Sequence, residues 1–189
     1  ASCPEMLSGL RWLSRQRHEH RVLVGGNHDF ILEQLGSKAE KLCQHFGIQY
    51  LHTKLEPRAL NFNSGLTLRI WGSGVSFPSK MGQEQAILSG NRAFQLESGA
   101  EFRHQTAHLQ PLSADVLITH GPPKGCLYGK DSNEVRCVNE LLRKVRPALF
   151  LCGHAHNPDG MKLRDKVCTL ENTLGVNCAV TGVWNQLYG

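Results

Sequence analysis

Apolar residues recur along this chain in two rhythms, and each rhythm predicts a different element. Met6, Leu7, Leu10 and Leu13 fall at helical spacing, so residues 2–15 read as a helix. Ser2 and Glu5 form a capping-box pair at its start, and Pro4 suits a first turn. Further helices are predicted over 30–35, ended by Gly36, and over 37–46, ended by Gly47. The clearest covers 134–146, where Val135, Val138, Leu141, Leu142 and Val145 share a face, Asp131 and Glu134 resemble a capping box, and Pro147 stops the run.

Short apolar runs predict buried strands at 22–24, 48–52, 115–119 and 148–152. Alternation adds a strand at 66–74 after the turn Asn63-Ser64-Gly65, and two closing strands at 166–170 and 176–180. Residues 54–63 read as a polar connection. Residues 75–110 keep neither rhythm and contain Pro78, Gly82, Gly90 and Gly99, so they read as a long surface excursion with one short helix. Loops of that length inside a compact domain are usually functional. The order of elements predicts an α/β fold: a mixed sheet or two stacked sheets flanked by helices, in a single domain over 1–189. A fold of this type usually has a strand before its first helix, so the chain is expected to be N-terminally incomplete.

Three of the strands end in the same way. Residues 21–29 (RVLVGGNHD) run into Gly26-Asn27-His28-Asp29, residues 115–123 (DVLITHGPP) into Thr119-His120-Gly121-Pro122-Pro123, and residues 149–156 (LFLCGHAH) into Gly153-His154-Ala155-His156. Each places nitrogen or oxygen ligands at a strand end, where open α/β sheets bind ligands. His154 and His156 are two residues apart, so an extended backbone points both rings to one side. Asn and His around a divalent ion fit hydrolytic chemistry, because such an ion polarises a phosphoryl oxygen and makes water more acidic. His28 can act beside it as the acid that protonates a leaving group, since free imidazole titrates near pH 6.5. Asp29 can hold the His28 ring or cap the following helix. Asn91 and Arg92 can reach a substrate phosphate from the long excursion. Cys152 with His154 and His156 lacks a suitably spaced fourth ligand for structural zinc and reads as a core residue.

Composition narrows the setting. A net charge of +5 over 189 residues is mild and scattered, so it helps attract an anionic substrate without marking a nucleic-acid binder. No apolar run approaches the roughly 20 residues that span a bilayer. The seven cysteines form no CxxC pair, so a disulfide framework is not expected and a reducing, cytoplasmic setting is. Of the ten histidines, His18, His20, His45, His52, His104 and His108 sit in polar surroundings and read as surface residues.

The three strand-end motifs, in that order, resemble the GNH[D/E], HxP-type and GHxH blocks of the calcineurin-like metallophosphoesterase superfamily. The THGPP wording, Asn91-Arg92-Ala93-Phe94 and Val145-Arg146-Pro147 resemble its metallophosphoesterase-domain-containing (brain 239-like, UPF0046) branch. The resemblance covers essentially the whole chain. It implies a four-layer αββα sandwich with a two-metal site above the strand ends. Carried over by motif, Asn27, His120 and His154 bind one metal, His156 the other, and His28 assists the leaving group. It also implies hydrolysis of a small phosphodiester or cyclic-nucleotide-like molecule with manganese, or with iron, zinc or magnesium. The sequence departs from the family pattern by lacking any D-x-H or G-D, the motifs that supply the carboxylates. The expectation is therefore one ion held weakly, or none. The alternative is a catalytically impaired member that binds a nucleotide or a protein.

Overall fold

The computed structural model describes residues 2–77, 92–123, 133–154 and 167–179. Helix α1 (Cys3–Ser14) starts on the Ser2 hydroxyl, and the reciprocal Ser2–Glu5 bonds of the capping box are both made. Strand β1 (Val22–Leu23) follows, then the short helices α2 (Phe30–Leu35) and α3 (Lys38–His45) and strand β2 (Gln49–Tyr50). Strands β3 (Arg58–Asn61) and β4 (Thr67–Ser73) form a hairpin. Helix α4 (Gly99–Gln105), strand β5 (Val116–Thr119), helix α5 (Asn133–Val145) and strand β6 (Leu149–Cys152) come next. The hairpin of β7 (Val167–Leu170) and β8 (Thr173–Asn177) is the last described structure.

Two sheets result among the described residues. β1 and β2 pair in parallel, and the larger sheet has the order β3-β4-β5-β6-β8-β7. Its inner four strands are mutually parallel, while β3 and β7 are antiparallel edges. Pleating assigns successive side chains to opposite faces. Ile70, Val116 and Leu149 face the small sheet and meet Val22, Val24 and Leu51 there. Trp71, Leu117 and Phe150, one rung on, face away and pack with Phe102 of α4 and with Val138, Leu141 and Val145 of α5. The outer side of β1–β2 is covered by Met6 and Leu10 of α1, Leu32 of α2, and Ala39 and Cys43 of α3. The layers are thus helix, sheet, sheet, helix, as the family resemblance implies. Gly72 lets the sheets come together, since a Cβ there would stand 2.6 Å from Val24 and 2.9 Å from Leu51.

Four readings of the sequence are corrected. Residues 54–63 include strand β3, which the pattern hid because it is an edge and only Leu60 of its four residues is buried. The stretch after 75 is no mere surface excursion: Ala93, Leu96, Phe102 and Leu109 are all core residues, and α4 is the short helix within it. The second closing strand begins at Thr173 rather than Val176, because the chain reverses at Glu171, whose φ is +55°. Three of the histidines read as surface residues are partly buried and bonded: His20 to the Asn61 carbonyl, His108 to the Leu55 carbonyl, and His52 to the Lys54 N–H. Among the described cysteines, Cys3, Cys43, Cys137, Cys152 and Cys178 form no disulfide whereas Cys168 is disulfide-bonded, so the chain is not thiol throughout. The cap expected at Asp131 lies outside the described residues. No helix among the described residues is long and apolar enough to cross a membrane.

Candidate active site

The parallel strands finish on one rung. Ser73, Thr119, Cys152 and Asn177 are register partners across β4, β5, β6 and β8. The ladder continues for one more step, with the His120 N–H on the Ser73 carbonyl at 2.9 Å and the Gly153 N–H on the His120 carbonyl at 3.1 Å. His120 and His154 therefore leave adjacent strands side by side. Their ring centroids are 4.5 Å apart, with the planes tilted by 54°. His154 has a φ of +59°, a left-handed backbone unusual for a residue other than glycine. Strained backbone of this kind concentrates at functional sites.

The third tip meets them from the small sheet. Asn27 is 7% exposed, and its Oδ1 lies 2.8 Å from His120 Nε2. The same nitrogen is 3.4 Å from the Asn27 backbone N. Protonated, Nε2 donates to the amide oxygen; deprotonated, it accepts the backbone N–H. Gly26 makes this approach possible, because a Cβ there would stand 2.6 Å from the His120 ring. The space between the tips is a cavity of about 370 Å³ lined by Asn27, His28, Asp29, Thr119, His120 and Gly153, among others.

Asp29 does not cap α2, which has no side-chain cap bond. Its carboxylate instead folds back to accept the Gly26 N–H at 2.8 Å. Burial raises its pKa, while the Gly26 bond and the nearby His28 partly offset that rise. Asp29 thus braces the turn that carries Asn27. His28 is exposed on the same cavity.

Of the residues expected in the long excursion, Arg92 is exposed, and its neighbour Ala93 donates its N–H to the Asn27 carbonyl at 3.0 Å. Phe94 follows with a φ of +56°, gives its N–H to Glu33 Oε1 at 2.6 Å, and sets its ring against Gly25. The clamp made by Ala93 and Phe94 on the Asn27 loop was missed in the sequence, where nothing but the unusual Arg-Ala-Phe wording hinted at it. Asn91 and His156 lie outside the described residues.

The donor set can be tested against a metal. Imidazole nitrogen and amide oxygen suit a divalent transition ion. Ligands about 2.1 Å from one ion stand about 3 Å from each other, and the separation between Asn27 Oδ1 and His120 Nε2 is compatible with that. His154 is close enough to join them. One ion fits this neutral trio. Among the described residues no group of three or more His, Cys, Asp or Glu could hold a metal, so an ion here would rely on the Asn27 amide oxygen beside the imidazoles.

A family model of calcineurin-like phosphoesterases matches residues 6–158. The chain belongs to that family. Calcineurin-like phosphoesterases are phosphoester hydrolases and generally depend on divalent metal ions. Among curated proteins, this calcineurin-like chain is similar to the human metallophosphoesterase domain-containing protein 1, at 28% identity over 169 residues, covering 79% of this chain and 48% of that protein. It is also similar to a UPF0046 protein of Caenorhabditis elegans, at 26% identity over 184 residues, covering 93% of this chain and 57% of that protein. The chain thus spans about half the length of the curated relatives it matches. No solved structure matches it.

Proposed function

We propose that this chain is the metal-dependent phosphoesterase part of a hydrolase acting on a small phosphodiester or nucleotide-like molecule in the cytoplasm. What supports the reading is that Asn27 and His120 meet on one cavity, with the His154 ring set beside that of His120. Asn27, His120 and His154 would hold the ion, and His156 is the residue that the family pattern gives to the second ion of a complete site. Such an ion, manganese by preference, supplies Lewis acidity toward a phosphoryl oxygen and toward water. The chain's own residues do the rest. The Gly26 turn and the Ala93 bond fix the Asn27 carbonyl and side chain, so the ligand set needs no reorganisation when an anionic substrate arrives. His28, exposed on the cavity, delivers a proton to the departing oxygen. Arg92, with Asn91, offers a guanidinium to a substrate phosphate from the rim.

A second reading is a member that binds a nucleotide or a protein without turning it over. The carboxylate-poor trio favours it, since two cations held close together need anionic ligands to offset their charge. Manganese-dependent hydrolysis of a chromogenic phosphodiester separates the two readings. The first expects turnover that depends on metal and falls in His28→Ala. Equal rates in both chains would leave only the second.

A further inference from the structure

A second cavity, of about 400 Å³, lies behind the clamp, between α2, the connection after β2, and residues 94–96. We propose that it is a small-molecule site that takes a planar amino-heteroaromatic ring. Its volume falls within the roughly 300–1,000 Å³ of ligand pockets, and like them it is mostly apolar with a few polar groups. Leu32 and Leu55 form aliphatic walls, and three rings follow one another around the space. Tyr50 and His52 are 6.3 Å apart between centroids, and His52 and Phe94 are 6.4 Å apart.

The polar groups ask for a particular ligand edge. Tyr50 is 4% exposed, yet its hydroxyl makes no hydrogen bond among the described residues. The hydroxyl oxygen is not sealed off, so it can be reached from the cavity and can bond a ligand there. His52 accepts the Lys54 N–H on Nδ1 at 3.3 Å, which puts the ring proton on Nε2 as a donor. Glu33 gives one oxygen to the Phe94 N–H and keeps the other. An exocyclic amino group beside a ring nitrogen answers this set: the amino group donates to Glu33, the ring nitrogen accepts from His52, and the Tyr50 hydroxyl completes either role. The rim carries Glu33 and Lys54, and Glu40 is paired with Arg58, so its charges are nearly balanced and recognition falls to the ring edge. The site is separate from the cavity of Asn27 and His120, with Phe94 as the wall nearest the Gly25 turn.

Adenine is the probe, titrated into the metal-free chain and followed by amide and imidazole NMR. The absence of metal makes the result independent of the hydrolase reading. The expected result is saturable shifts at the amides of Glu33, Leu55 and Phe94 and at His52 Nε2. Tyr50→Phe should weaken binding about 3- to 10-fold, the range of one hydrogen bond. Glu33→Gln, which keeps an oxygen for the Phe94 N–H, should weaken it similarly. Purine without the amino group should bind less tightly than adenine. Purine binding as tightly as adenine would overturn the amino-ring assignment. Shifts that do not saturate at millimolar adenine, or affinity unchanged in both variants, would overturn the site.

Discussion

At Asn27 the side chain and the backbone have separate tasks. The amide oxygen faces His120, and the carbonyl is held by Ala93. Gly26 is the hinge of both, and Gly26→Ala is expected to drive the His120 ring out of place and weaken manganese binding at least tenfold, read by titration calorimetry, while secondary structure is kept. For His28, a general acid typically contributes about 10²–10⁴-fold to rate, so His28→Ala should lower kcat by about that factor and leave metal affinity unchanged. His52 gives a pH signature. Burial, with the charge of Lys54 a smaller cause, lowers its pKa, so the folded chain takes up its proton at lower pH than the unfolded chain does. Between that lowered value and about pH 6.5 the unfolded state binds more protons, so stability rises with pH. Its contribution is complete above about pH 6.5 and is lost as pH falls below it. Urea unfolding at pH 7.5 and 5.5 should show a larger loss in the parent than in His52→Gln. Asn27, His120 and His154 stand out in the sequence as candidate ligands because their chemistry is written in residue type. Asp29 was legible as important but not in its role: only geometry shows that a carboxylate turns back to Gly26 rather than forward to the helix.

The strands of the large sheet are where sequence and structure agree most closely. Val116–Thr119 and Leu149–Cys152 are apolar on both faces because both faces are covered, one by the small sheet and one by α4 and α5. Such strands are visible as runs. The edge strand β3 was not visible, since one buried residue in four gives no run to detect. The stretch before α4 failed for another reason. Ala93 and Leu96 are buried through long-range contacts with the Asn27 loop and the α4–α5 core, and no local period encodes those. Covering both faces has an energetic consequence. Leu117 is fully buried in the α4–α5 core, so Leu117→Ala should cost roughly 2–5 kcal/mol in urea unfolding. Leu112, 57% exposed, should tolerate the same change within about 0.5 kcal/mol. Equal effects would mean that Leu117 is not packed in the α4–α5 core as described.

For the whole molecule, the sandwich is a device for delivering three loops to one place. Parallel pairing brings His120 and His154 together, and sheet-on-sheet packing through Gly72 brings Asn27 to them. Such neutral ligands would hold a divalent ion without carboxylate help, so its affinity would be set by geometry rather than by charge, and the scattered charge of +5 adds nothing to hold a cation. Titration calorimetry of manganese into this chain, beside Asn27→Ala and His154→Ala, reaches that arrangement most directly. One weak site in the parent, lost in both variants, is the predicted result; two tight sites, or binding that survives both substitutions, would contradict it.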